Sequence, residues 1–368
     1  ATGQAVELAP RALSITHAGS GRQVYDGNTT TTGLTYSATT DIANFSVSNL
    51  LPAPAFTTGS KNVGTYTKLV AASTNPTSYT TGGVTYAVGY FNTGSFAITQ
   101  KQLAPSAADK VYDGNTTAAV SLGGVIAGDA VTASGTGTFS AKDVGTYSVN
   151  ISGITLGGAD MGNYSLAGNS ASATAQITAR TVTFGGTRTY DGSAAFSNLI
   201  LGNLVAGEDL GVSGATANSA NAASARWITT ASLLNGVSGL ASNYQLPSLG
   251  AASASNAVFI TPKALTISGI SASNKVYDGS TAATLSGGTL SGMVGSETLN
   301  LGGIAGAFAS KDVGTGKAVS LSTISLTDGT GLASNYTYSQ PAGVTADITP
   351  KALSITGVAA VNKVYDGG

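Results

Sequence analysis

Apolar and polar side chains alternate along much of this chain with a period of two. Across Val144-Gly145-Thr146-Tyr147-Ser148-Val149-Asn150-Ile151, Val149 and Ile151 fall on one face with Tyr147, and Ser148 and Asn150 on the other. That is the pattern of a half-buried β-strand. Residues 101–178 show how such segments follow one another. Lys110-Val111-Tyr112 is short and extended. Asp113-Gly114-Asn115-Thr116-Thr117 then supplies a turn, because Asp tolerates tight backbone geometry and Gly reaches positive φ at little steric cost. Ala118 to Leu122 resumes as a strand that Gly123-Gly124 breaks, Val131 to Phe139 alternates small and apolar residues, and Ser140 to Asp143 turns. Asn163 to Leu166 and Ala173 to Thr178 close the stretch. The pattern predicts about six or seven strands and no helix. The expected fold class is all-β, built from small antiparallel sandwiches of immunoglobulin-like type.

The pattern repeats. Tyr25-Asp26-Gly27, Tyr112-Asp113-Gly114, Tyr190-Asp191-Gly192, Tyr277-Asp278-Gly279 and Tyr365-Asp366-Gly367 are spaced by 87, 78, 87 and 88 residues. A second marker keeps the same beat: Ala9 to Leu13, Ile98 to Leu103, Ile177 to Arg180, Ile260 to Leu265 and Ile348 to Leu353. A period this long fits one small β-domain and is too long for a solenoid rung. The predicted division is 1–8 as the end of a preceding repeat, then repeats at 9–98, 99–177, 178–260 and 261–348. Residues 349–368 are read as the start of a fifth. The chain passes from one repeat to the next through Ile-Thr-Pro-Lys-Ala-Leu at 260–265 and 348–353. Because Pro fixes φ and restricts the residue before it, these junctions are expected to be short and stiff, and the array a rod.

Within the repeats, Lys142-Asp143-Val144-Gly145-Thr146-Tyr147 recurs as Lys61 to Tyr66 and, without its Tyr, as Lys311 to Gly316. Its Asp-x-Gly-x-Tyr shape is similar to the tyrosine corner of immunoglobulin-like domains. The third repeat departs most. Ala220 to Ser224 stands where Lys-Asp-Val-Gly-Thr belongs, followed by Trp227, so a repacked corner is expected there.

These blocks together resemble the YDG domain, which is related to the mostly-β glycine-rich repeats of bacterial exoproteins and filamentous-haemagglutinin-like adhesins. Asn163-Tyr164, Asn243-Tyr244 and Asn335-Tyr336 fill the family's Asn-Tyr position, with Ser78-Tyr79 assigned to it in the first repeat. The resemblance implies export across the outer membrane, often by two-partner secretion, and a stalk or matrix-fibre role at the cell surface.

Composition agrees with an extracellular β-array. Charged residues make up 9% of the chain, the net charge is −1, and there is no cysteine. Dispersed basic residues give no footprint for nucleic acid or an acidic membrane. No run approaches the roughly 20 apolar residues of a membrane span. Absence of cysteine favours a bacterial surface protein over a disulfide-stapled eukaryotic one. Scarce charge removes repulsion between copies, so self-association into filaments or lateral bundles through exposed strand edges is expected.

Candidate chemistry is sparse. The single histidine, His17, is read as a solvated loop residue, and no cysteine nucleophile, Gly-x-Ser-x-Gly elbow, phosphate loop or metal-ligand spacing accompanies it, so no enzyme is expected. The motif aspartates Asp26, Asp113 and Asp278, with Asp143 and Asp312, are read as turn-forming; a second reading lets them gather at a junction and bind Ca²⁺. Isopeptide links from Lys110, Lys275, Lys363, Lys142 or Lys311 would need a neighbouring catalytic carboxylate, and acidic residues are few. The 15 tyrosines are read as core or corner residues, with extracellular polysaccharide as a conceivable ligand. If the divergent segments Phe56 to Thr58, Gly82 to Asn92 and Ala220 to Trp227 formed one face, a glycan- or protein-binding role would gain.

Overall fold

The computed structural model describes residues 11–367 and is all-β: many short sheets, and no α-helix among the described residues. Four single 3₁₀ turns interrupt the strands, at Val47–Asn49, Met161–Asn163, Ala241–Asn243 and Ala333–Asn335. The chain divides between Thr178 and Ala179 into two compact units.

In the first unit, residues 101–178 form eight strands, one more than the upper count expected from the pattern, because Thr117–Ala118 and Val120–Gly123 are separate. Lys101–Ala107 lies between Val120–Gly123 and Tyr164–Leu166 in a three-stranded sheet. The other five strands make a second sheet, in the order Lys110–Val111, Ser170–Thr178, Gly145–Gly157, Thr132–Phe139, Thr117–Ala118. In the second unit, Lys263–Ala272, Leu285–Ser291 and Tyr336–Tyr338 repeat the three-stranded order, and five further strands repeat the other.

Alternation produces the core directly. In Gly145–Gly157, Val149 and Ile151 are fully buried while Ser148, Asn150 and Ser152 face outward. Strict alternation would next bury residue 153, yet the buried residue is Ile154. Gly153, at φ +64°, absorbs the extra residue where the register with Thr132–Phe139 shifts, a bulge that returns the apolar side chain to the core. Gly214 and Gly303, at φ +63°, sit at the register shifts of the corresponding hairpins in the second unit, where the extra residue lies on the first strand of the hairpin instead of the second.

The cores are not confined to one sequence period. Tyr25, Phe56, Leu69, Phe96 and Ile98 form one buried cluster with Leu103 and Tyr164 of the following period. The first period has a further cluster of Leu13, Ile15, Leu50 and Tyr86. Phe308, Val319, Ala346 and Ile348 fill the last period.

His17 is not a solvated loop residue. It ends the strand Arg11–His17, whose alternation buries Leu13, Ile15 and His17 in turn. Its Nδ1 lies 2.9 Å from the Thr35 carbonyl oxygen. At the third-repeat corner Ala223 pairs with Ile260 and Arg226 with Val258 across a register shift, as Gly314 and Lys317 pair with Ile348 and Ala346 in the fourth repeat. Residues 350–367 carry no strand, and Tyr365 is exposed there.

Candidate functional site

The first four Tyr-Asp-Gly tripeptides make the same small turn. The Asp Oδ1 accepts the backbone N–H two residues on, from Asn28, Asn115, Ser193 and Ser280, at 2.9 to 3.1 Å. The following glycines, Gly27, Gly114, Gly192 and Gly279, lie at φ +80° to +83°. This is the side-chain-to-backbone turn that Asp favours, closed by a residue without Cβ. A cation three residues earlier pins the carboxylate: Lys110 to Asp113 at 2.7 Å, Arg188 to Asp191, Lys275 to Asp278 at 2.8 Å, and Lys363 to Asp366 at 2.9 Å. The Lys275 hydrogen bond and the Ser280 N–H hold Asp278 at about 2. Burial pushes Asp113 up, but the bonds from Lys110 and Asn115 outweigh it and leave its carboxyl lowered. Lys110 Nζ also donates to Asn115 Oδ1 at 3.0 Å, as part of the same staple.

Gly279→Ala tests the turn in isolation. Nothing lies within 4 Å of an added Cβ there, so only backbone strain opposes the change. Thermal unfolding of the second unit is expected to show a loss of about 1 kcal/mol.

The motif tyrosines do more than the aspartates. Tyr25 is 1% exposed, and its hydroxyl donates to Asp129 Oδ2 at 2.6 Å, a residue of the next period. Tyr164 donates to the same oxygen at 2.7 Å, and the two rings meet edge to face with centroids 5.3 Å apart. Lys61 Nζ reaches Asp129 Oδ1 at 2.8 Å, and the carboxylate side chain is only 2% exposed. The second unit repeats the device with glutamate. Tyr190 and Tyr336 both donate to Glu297, at 2.5 Å each, with rings edge to face at 5.4 Å. The acceptor tyrosine is itself anchored, since Tyr164 accepts the Ile126 N–H and Tyr336 the Val294 N–H.

The asparagine of Asn-Tyr completes each junction. Asn163 accepts the Val63 N–H at 2.9 Å and donates to Asn62 Oδ1 at 3.0 Å. Asn335 accepts the Ala222 N–H at 2.8 Å and donates to Asn221 Oδ1 at 3.0 Å. Both are at least 95% buried. Thus Asn163 reads the backbone of Lys61 to Tyr66, and Asn335 that of its divergent counterpart.

The charges have consequences. Hydrogen bonds from Lys61 first, then from Tyr25 and Tyr164, hold the Asp129 carboxyl at about 2. Burial, then the bond to Asp129, pushes Tyr164 up to about 12. The carboxyl is below its ordinary value in the folded chain, so its contribution is complete above about pH 4 and is lost as pH falls toward 2. Acid unfolding of the first unit, followed by circular dichroism, is expected to steepen in that window, and the steepening to disappear in Asp129→Ala.

The motif aspartates do not meet at a junction. Among the described residues no three His, Asp or Glu side chains gather closely enough to hold a metal. Asp26, Asp113 and Asp278 each remain in their own turn, and the Asp312 N–H turns back to Ser310 Oγ. The Ser78-Tyr79 assignment is also replaced. In the parallel pairings, Lys101 is opposite Tyr164, Arg180 opposite Tyr244, Lys263 opposite Tyr336, and Arg11 opposite Tyr86. Tyr86 therefore holds that position, and Tyr79 sits across from it on the adjacent strand. The corner tyrosine behaves as expected: Tyr66 donates to the Asn62 carbonyl at 2.6 Å and Tyr147 to that of Val144 at 3.3 Å.

Asp129, Glu208 and Glu297 were not singled out from sequence. Each accepts a hydroxyl from the Asn-Tyr tyrosine of its own period, Tyr164, Tyr244 and Tyr336. Their signal was regularity: in a chain with only 17 acidic residues, one follows each of Ile126-Ala127-Gly128, Val205-Ala206-Gly207 and Val294-Gly295-Ser296.

A YDG domain is found at residues 99–175 and again at 261–343. Each YDG domain carries the carboxylate and the Asn-Tyr of one junction, Asp129 with Asn163-Tyr164 and Glu297 with Asn335-Tyr336. The tyrosines received, Tyr25 and Tyr190, come from the stretches before each match. No curated protein matches the chain. Among solved structures, the crystal structure of Drosophila N-cadherin EC1-4 aligns over 92% of this chain and 100% of its own length, at 8% identity and a TM-score of 0.18.

Proposed function

We propose that this chain is a structural repeat segment of a bacterial cell-surface or secreted exoprotein, serving as an adhesin stalk, surface filament or biofilm-matrix fibre. In this reading its repeats are immunoglobulin-like sandwiches stacked into a stiff rod, exported across the outer membrane by two-partner secretion. The observation that carries it is the use made of the recurring residues. Tyr25, Lys61, Asp129, Asn163 and Tyr164 join one period to the next, as do Tyr190, Glu297, Asn335 and Tyr336. Residues repeated for catalysis would instead converge on an open cleft within one repeat. Buried, fully hydrogen-bonded junctions stiffen an array, because neighbour interfaces add to the stability of each repeat.

Self-association belongs to the proposal. The edge stretch 132–136 lies beyond the residues that pair with Thr117–Ala118 and carries no charge to discourage another strand. The alternative, a multivalent module for polysaccharide or host protein, is weakened by one of its own segments, since Phe56 and Thr58 are buried.

Immunogold labelling of intact producing cells, with cryo-electron microscopy of the detached material, tests the reading. Surface label on extended fibres or stalks is the expected result. Label confined to the cell interior would overturn it.

A further inference from the structure

Every repeat ends with Ile-Thr or Phe-Ala-Ile-Thr against the strand that leads into Tyr-Asp-Gly, and the pairing is always parallel. Ser20–Val24 pairs with Ser95–Thr99, Lys110–Val111 with Ser170–Thr178, Thr187–Thr189 with Val258–Thr261, and Lys275–Val276 with Val344–Thr349. Two further bonds close each pair. The motif tyrosine N–H donates to the threonine carbonyl: Tyr25 to Thr99, Tyr112 to Thr178 and Tyr190 to Thr261 at 2.9 Å, and Tyr277 to Thr349 at 2.8 Å. The threonine hydroxyl donates back across the gap, from Thr99 to Gln23, Thr178 to Lys110, Thr261 to Arg188 and Thr349 to Lys275, at 3.1 to 3.3 Å.

We propose that this clasp makes each repeat a load-bearing element that resists tension along the chain. In residues 101–178 the upstream chain enters at Lys101 and passes through Lys101–Ala107 into Lys110–Val111, while the downstream chain leaves at Thr178. A pull on the two ends draws Lys110–Val111 back toward its N-terminus and Ser170–Thr178 toward its C-terminus. Because the strands are parallel, these displacements oppose each other along the strand axis, and the bonds are sheared together. Antiparallel terminal strands would instead be pulled apart from one end, one bond at a time. The entering strand has a second parallel attachment of the same sense: Lys101–Ala107 against Tyr164–Leu166, and Lys263–Ala272 against Tyr336–Tyr338. The Lys-Asp and Arg-Asp staples fix the turn immediately beyond the clasp in three of the four repeats. The use of such a clasp in a stalk rests on the function proposed above, but its mechanics do not.

Single-molecule force measurement on the whole chain tests this, and the absence of native cysteine lets handles be placed at will. Stretched from its two ends, the chain is expected to unfold in discrete steps, each releasing on the order of 250 Å of extended chain. With handles at the exposed Val111→Cys and at Ala179→Cys, both strands of the second clasp are pulled from their C-terminal end, and that repeat is expected to open at about half the force or less. Thr99→Val, Thr178→Val, Thr261→Val and Thr349→Val together keep the β-branched shape and remove only the hydroxyl bonds. They are expected to shorten lifetimes at constant end-to-end force about fivefold. Ile151→Val, a core change outside the clasp, provides the comparison and is expected to lower the thermal midpoint more than it shortens those lifetimes. Equal forces in the two geometries, or valine-variant lifetimes equal to the parent's, would overturn the proposal. Failure of surface labelling with these forces intact would overturn the stalk and leave the clasp standing.

Discussion

Asp129→Ala is expected to destabilise the first unit by about 3 kcal/mol. The carboxylate is 2% exposed and accepts from Tyr25, Tyr164 and Lys61 at 2.6 to 2.8 Å. Removing it strands two buried hydroxyls and one end of an ion pair. The Lys61 side chain is 41% exposed, so water recovers part of its loss, which places the expected cost at the lower end for a broken buried pair. For a unit of this size the thermal midpoint should fall by roughly 6 to 12 °C. Hydrogen exchange should show a second effect. The periods on either side of Asp129 share one buried cluster, and loss of the junction should let the first open without the second. Asp129→Asn retains an acceptor oxygen and should cost less.

Tyr190→Ala is expected to cost about 4 kcal/mol in the second unit, and Tyr190→Phe only about 1. The ring is 5% exposed and packs edge to face on Tyr336, so truncation opens a cavity that two covalently constrained periods cannot easily close. The hydroxyl matters less, because Glu297 retains its bond from Tyr336 when Tyr190 loses its own. Denaturant unfolding of the two variants beside the parent separates ring from hydroxyl. Equal losses would place the energy in the hydrogen bond instead.

The turns and strands were legible because their causes are local. Asp113 and Asn115 are two residues apart, and Val149 and Ile151 alternate with polar neighbours whatever lies across the sheet. The junctions were not legible because their partners are distant: Tyr25 and Asp129 are separated by 104 residues, Tyr190 and Glu297 by 107. A period-two pattern states which side chains face inward, not which residue from another period they meet. His17 shows a different failure. It falls on the buried face set by Leu13 and Ile15, yet its polarity argued for solvent, and tertiary packing against the Thr35 carbonyl prevailed. Ser78-Tyr79 resembles Asn-Tyr in sequence, while strand register, which sequence spacing fixes only weakly, assigns the position to Tyr86.

The same register explains why the motif tyrosine recurs with the acidic residue and the Asn-Tyr. One period contributes the Tyr-Asp-Gly ring, and the next contributes the carboxylate and the second tyrosine. A substitution in one period should therefore be felt in the other, which is the physical content of calling these residues a junction.

A double-mutant cycle between Tyr25→Phe and Asp129→Ala measures that directly, using urea unfolding of the whole chain. With both residues acting through one hydrogen-bonded cluster, the two losses should fall short of additivity by about 1 kcal/mol or more. Additivity within a few tenths of a kcal/mol would contradict the junction and leave the recurring tyrosines as separate core residues of separate repeats.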